Sequence, residues 1–137
     1  MSTWLYEDKE MVEIPEGYFG FVYLITNIKT GRKYIGKKQF NSYRSKKIKG
    51  KIRKKRVILE SDWKNYWGSC EELKRDVAEL GMDAFKREIL KLCKTKGELT
   101  YSEVEYQIKA DCLTALDEWG NRLYYNSNIM SRWFSKS

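Results

Sequence analysis

Two short runs rich in aromatic and β-branched residues, set either side of a turn, constrain this chain more than any other feature. Tyr18 to Thr26 and Lys33 to Gly36 flank Asn27 to Gly31, a stretch whose asparagine and glycine favour chain reversal. The pattern predicts an antiparallel hairpin, so the chain must build a sheet. At 137 residues it has the length of one domain with a modest core. Its 42 % apolar and 34 % charged residues suit a folded protein, not a disordered one.

The rest of the chain adds helices to that hairpin. Residues 1–16 are acidic (Glu7, Asp8, Glu10, Glu13 and Glu16 against Lys9) and contain Pro15, the only proline. They read as an extended lead-in, an edge strand at most. Arg44 to Arg56 is a basic block, nine of its thirteen residues Lys or Arg with Gly50 inside, and predicts an exposed loop or a loosely formed helix. Ser69-Cys70-Glu71-Glu72 is a capping box opening a helix with Leu73, Val77 and Leu80 on one stripe and Gly81 as its stop. Phe85 to Leu92 reads as a third strand and Lys94 to Gly97 as its turn. Thr100-Tyr101-Ser102-Glu103 is a second capping box, before a helix whose apolar face includes Val104, Ile108 and Cys112. The tail from Leu123 to Phe134 is expected to dock on the body. The expected fold is α+β: a small three-stranded, mainly antiparallel sheet flanked by helices, with residues 17–137 as a single domain.

Histidine is absent. That removes Ser-His-Asp and Cys-His catalysis, His-ligated zinc and His-metal nuclease chemistry. Hydrolysis would have to rely on Tyr, Lys, Arg, Asp and Glu, with a hard cation on carboxylate. The net charge of +8 favours polyanionic partners, and the 15 % of aromatic residues include rings that can stack on bases. In the basic block, Lys46, Lys47, Lys49, Lys51, Arg53, Lys54, Lys55 and Arg56 are the candidate DNA contacts. Such contacts go to phosphates, giving affinity without sequence readout. Cys70, Cys93 and Cys112 show no CxxC spacing and read as reduced, buried thiols. The longest apolar stretches, such as Phe21 to Ile25, are too short to span a bilayer, and no signal peptide is evident, so a cytoplasmic protein is expected.

Phe21-Val22-Tyr23-Leu24-Ile25, a short turn, then Lys33-Tyr34-Ile35-Gly36-Lys37 resembles the paired motifs of the GIY-YIG nucleases. Arg44 lies ten residues beyond Tyr34, the spacing at which phage-type members carry an arginine on the first helix. Tyr66-Trp67-Gly68-Ser69, the helix to Leu80-Gly81, Phe85 and Ile89-Leu90 resemble the middle of that domain, and Tyr125-Asn126 its close. The likeness spans about residues 18 to 130 and is nearest to free-standing, phage-borne homing endonucleases, which implies a bacterial or phage-infected host. The family's leading glycine is missing, since the first motif reads Phe21-Val22-Tyr23.

The resemblance implies a metal-dependent DNA endonuclease using Mg²⁺ or Mn²⁺, with Tyr23, Tyr34, Lys37, Arg44, a helix glutamate and Asn126 at its site. The chemistry is coherent on its own terms. Arg44 can hold a phosphate oxygen with a planar fork of donors. Tyr23 is the expected general base, its phenolate favoured by Lys37, Lys38 and Arg44. Tyr34 orients water or phosphate, Gly36 keeps the cleft clear of a side chain, and Asn126 braces the site. Tyr23 and Tyr34 share a face only if opposite or offset by an even count. The metal ligand is Glu103, four residues before Gln107, or alternatively Glu105. Counting from Ile108 instead reaches Val104 and does not decide between them. The second reading is a nucleic-acid-binding module without catalysis, acting as monomer or homodimer like the first. A third is another nuclease fold built on Asp62-Trp63-Lys64.

Overall fold

A computed structural model of the chain describes residues 3–47 and 54–132, with the backbone alone over 44–47 and 54–57. The predicted hairpin forms from β3 (Gly20–Asn27) and β4 (Lys33–Gln39), closed by a turn in which Asn27 Oδ1 accepts from the backbone N–H groups of Lys29 and Thr30. It belongs to a larger sheet than the expected three strands. Strands β1 (Trp4–Tyr6), β2 (Lys9–Glu10) and β7 (Phe85–Cys93) join it in the order β2-β1-β7-β3-β4. The pairing of β1 with β7 is parallel, Trp4 lying opposite Arg87, and the other pairings are antiparallel, so the sheet is mixed. The acidic lead-in therefore forms one edge of the sheet, and β4 the other.

The basic block is not a loop or a helix where its backbone is described. Strands β5 (Asn41–Lys47) and β6 (Lys54–Glu60) pair antiparallel as a separate two-stranded ribbon, with Arg44 opposite Val57. A ribbon spaces like charges on alternating sides, and Val57, Ile58 and Tyr43 add strand-forming character that the charge count obscured. Tyr43 anchors the ribbon by stacking on Phe19, with centroids 5.9 Å apart. Lys49, Lys51 and Arg53 lie outside the described residues.

Helix α1 (Glu71–Leu80) follows the predicted stripe in burying Leu73 and Val77, though Leu80 is partly exposed, and it stops at Gly81 with φ +87°. Its N-cap is Cys70, without a side-chain cap bond, so the expected Ser69 box does not form. Helix α2 (Lys96–Lys109) begins a turn earlier than expected: Thr95 caps it by accepting from the Glu98 N–H, while Glu98 accepts from Lys94 N–H. That box outcompetes the one at Thr100, and Lys96 and Gly97 become helical instead of a turn. The buried face is accordingly Leu99, Ser102 and Gln107, and Ile108 points to solvent at 59 % exposure.

Each face of the sheet has its own core. Phe21, Tyr23, Ile25 and Ile89 pack with Trp4, Phe40, Trp63 and the α1 residues Leu73 and Val77. Val22, Ile35 and Cys93 pack with Leu99 of α2, Cys112 and Tyr124. Arg87, buried in the first layer, lies between the rings of Trp4 and Trp67 at 4.6 and 4.3 Å and donates to the carbonyls of Tyr66 (2.8 Å) and Lys64 (3.1 Å). Desolvation lowers its pKa to about 10. These contacts fasten residues 64–67 to the sheet, and Gly68 and Ser69 follow directly. No helix among the described residues is long and apolar enough to cross a membrane.

Candidate active site

The β3–β4 register settles how the two motif tyrosines meet. Tyr23 lies opposite Gly36, and Tyr34 opposite Ile25, an offset of two that puts both rings on one face. Their centroids are 6.2 Å apart. Gly36 has no side chain because Tyr23 fills its space: a Cβ there would come within 2.6 Å of Tyr23 Cζ. Gly68, at φ +85°, closes over the same pair, and Tyr34 Oη lies 3.3 Å from Ser69 Oγ.

Along the β4 edge beside these rings opens a cleft of about 570 Å³, lined by Tyr34, Lys37, Ser69, Thr100, Glu103 and Asn126 among others. Lys37 sits opposite Val22, so it points to the α2 side, where Nζ donates to Thr100 Oγ1 at 3.0 Å. Glu103 is three residues beyond Thr100 and shares its helix face. Asn126 uses both ends of its amide on Ile35, accepting from the N–H at 3.0 Å and donating to the carbonyl at 2.8 Å. Gln107 Nε2 donates to the same carbonyl at 3.0 Å. Tyr125 N–H donates to Lys33 O, so residues 124–126 extend the sheet beside the first half of β4, while at its far end the Gln39 carbonyl accepts from Ser61 Oγ at 2.6 Å. The Tyr125 hydroxyl donates to Asp76 at 2.7 Å and accepts from Asn27 at 3.1 Å, locking this segment in place.

The structure thus brings Tyr23, Tyr34, Lys37, Glu103 and Asn126 to one place. It separates Glu105, which pairs with Lys109 at 3.6 Å and does not line the cleft. Arg44 is on strand β5 and not on a helix, because the polypeptide after β4 turns into the ribbon; its side chain lies outside the described residues. Asp62, of the third reading, pairs with Lys38 at 2.6 Å, which lowers its pKa, and lies outside the cleft. Thr100 and Ser69 were readable in the sequence only as helix caps, yet both line the cleft.

The electrostatics correct one expectation. Burial pushes the Tyr23 pKa well above its ordinary 10, and Tyr34, Tyr66 and Glu103 add to the rise. Lysines do not favour its phenolate: Lys38 lies over the Tyr66 ring at 4.1 Å, and Lys37 is on the opposite face. Tyr34 is likewise pushed up by burial, to about 12. Burial also raises Glu103, against the opposing charge and N–H of Lys37.

The donor set fits a hard divalent cation of the kind that takes one carboxylate and fills its shell with water and phosphate oxygen. Glu103 presents a desolvated carboxylate to an open cleft, and the Gln107 Oε1 oxygen, four residues along the helix, is buried without a hydrogen-bond partner among the described residues. The other carboxylate lining the cleft, Glu71, is exposed and pairs with Lys74 at 3.8 Å, so the half-buried Glu103 would be the one holding the cation.

Residues 4–129 match the family model described as "Putative endonuclease segE, GIY-YIG domain". The chain belongs to the GIY-YIG endonuclease family. The match covers both sheet edges, both helices and every cleft residue named above. No curated protein and no solved structure matches the chain.

Proposed function

We propose that this GIY-YIG domain is a metal-dependent DNA endonuclease that works at the β4 edge. The observation that carries the reading is the convergence of Tyr34, Lys37, Glu103 and Asn126, from two strand faces, a helix and the closing segment, on one open cleft with Tyr23 behind it. Binding alone requires no such gathering of a carboxylate and phenols within a protein of net charge +8. Mg²⁺ or Mn²⁺ on Glu103 would supply charge stabilisation to the phosphate and acidify a bound water. Arg44 holds a non-bridging phosphate oxygen, and the ribbon lysines and arginines hold the flanking backbone. Tyr34 Oη orients the attacking water, Tyr23 accepts its proton, and Asn126 keeps the Ile35–Gly36 backbone in register. Lys37 sets the charge around Glu103. The resemblance to phage-borne homing enzymes supports a role in a phage-infected cell.

The test is plasmid nicking with Mg²⁺ or Mn²⁺ and with EDTA, by wild type and Arg44→Ala. Metal-dependent cutting that Arg44→Ala loses, with its fold intact, supports the reading. Tight, salt-sensitive binding with no cutting of plasmid or source genomic DNA would replace it with a non-catalytic binding module.

A further inference from the structure

The segment between α2 and the closing residues holds a tryptophan at 76 % exposure, Trp119, on a turn built to present it. Asp117 Oδ1 accepts from the N–H groups of Trp119 and Asn121, both at 2.9 Å. Asp117 N–H donates to Asn121 O at 2.8 Å, and Gly120, at φ +83°, completes the reversal by donating to Asp117 O at 3.1 Å. Leu116 and Arg122 bridge antiparallel beneath it. Asp117 thus fixes the backbone of the turn while the Trp119 ring stays largely in water.

Its place supplies a use. The turn's base docks on the start of β4, where Lys33 N–H donates to Leu123 O at 2.9 Å. The cationic ribbon leaves from the other end of β4, through Phe40. The cleft lies between them on the same sheet edge, and Arg122 reaches from the turn to the carbonyl of Asn126 in the cleft wall. Seven extended residues span about 20 Å, the length of roughly six base pairs. A duplex laid along β4 with its backbone on the ribbon and a phosphate in the cleft runs towards the end of the strand on which the Trp119 turn is based. Exposed Glu118 beside the ring makes a phosphate contact unfavourable there, which leaves the base face as the matching surface.

We infer that Trp119 is a DNA contact that stacks on or wedges beside a base on the far side of the cleft from the cationic ribbon. The inference rests on the endonuclease reading and adds a second, uncharged point of attachment to it.

The experiment is binding of wild type, Trp119→Ala and Trp119→Phe to a fluorescein-labelled mixed-sequence duplex in EDTA over a series of salt concentrations. Each protein's melting curve and sedimentation are recorded alongside. Base–aromatic stacking predicts about a tenfold weakening in Trp119→Ala, with an unchanged salt slope because no phosphate contact is lost. Trp119→Phe should recover most of the affinity, and all three proteins should melt alike. Wild-type affinity in Trp119→Ala overturns the inference and leaves the endonuclease reading standing. A reduced salt slope in Trp119→Ala also overturns it, by showing that the whole binding pose has moved. Wild-type self-association that Trp119→Ala abolishes reassigns the ring to a contact between copies. No DNA binding by wild type overturns this inference and the endonuclease reading together.

Discussion

Gly36 lies directly opposite Tyr23 in the β3–β4 ladder, and the tyrosine ring occupies the space a side chain at residue 36 would need. The contact is with the rigid ring of a residue only 1 % exposed, so it cannot be relieved by a flexible chain end moving aside. Gly36→Ala should therefore displace Tyr23, abolish cutting and destabilise the fold by about 1–3 kcal/mol through overpacking. Gly97→Ala is the matched control: nothing lies within 4 Å of a Cβ there and its φ is not positive. It should leave cutting intact and melt at the same or a slightly higher temperature. Thermal melts and nicking of the two variants decide it, and equal behaviour would dissolve the packing argument.

Glu103 and Glu105 give a second comparison. Burial raises the Glu103 pKa, so the folded state favours its protonated form. A group shifted this way stabilises the fold below its unfolded pKa and loses that contribution as pH rises through the folded value. At neutral pH the charged carboxylate is thus a burden on the fold. Glu103→Gln should abolish metal-dependent nicking while melting at or above the wild-type temperature. Glu105→Gln removes only a surface pair with Lys109 and should cut normally. Loss of cutting in the Glu105 variant alone would reverse the assignment.

Much of this site was legible because it depends on local pattern. The alternating residues of β3, the turn at Asn27 to Gly31 and the Leu73–Val77 stripe each declare themselves within a few positions. What was hidden depends on partners distant in sequence. Trp4 to Tyr6 is too short to read as a strand until β7 pairs with it, some eighty residues later. Arg87 looks like an ordinary strand cation until Trp4 and Trp67 close over it. Two capping boxes compete for the start of α2, and the choice of Thr95 over Thr100 places Thr100 inside the helix, while packing on the sheet decides that Leu99, Ser102 and Gln107 are buried and Ile108 is not. The β-ribbon was masked by its charge, because a run of lysines hides the period of two. The Tyr23 environment was hidden in the same way: Lys37 takes the other face of β4, and Lys38, on the same face, is engaged by Asp62 and the Tyr66 ring.

Raised well above 10, the Tyr23 pKa fixes the pH behaviour expected of a phenolate base. Below that value the ionised fraction grows tenfold per pH unit, so log rate should climb with a slope near one. The climb should continue through pH 9 without the plateau that a base tuned to neutrality would show. Tyr23→Phe should remove both the activity and the slope. If a residual rate in Tyr23→Phe keeps the same slope, the titrating group is a bound water and the tyrosine is a positioning residue.

The ribbon offers a test by charge alone. Arg44, Lys46, Lys47, Lys54, Lys55 and Arg56 sit on paired strands at one end of the β4 edge, a geometry suited to tracking a phosphate backbone, and Lys49 and Lys51 fall between those strands in the sequence. Each phosphate contact contributes about 0.9 to the slope of log affinity against log salt. Replacing Lys46, Lys47, Lys49 and Lys51 together by alanine should weaken duplex binding at low salt. It should also flatten that slope by up to about 3.6. Binding measured in EDTA separates this loss from any change in cutting. Should the variant keep the wild-type slope, DNA enters from elsewhere on the surface and the ribbon's charge serves another partner.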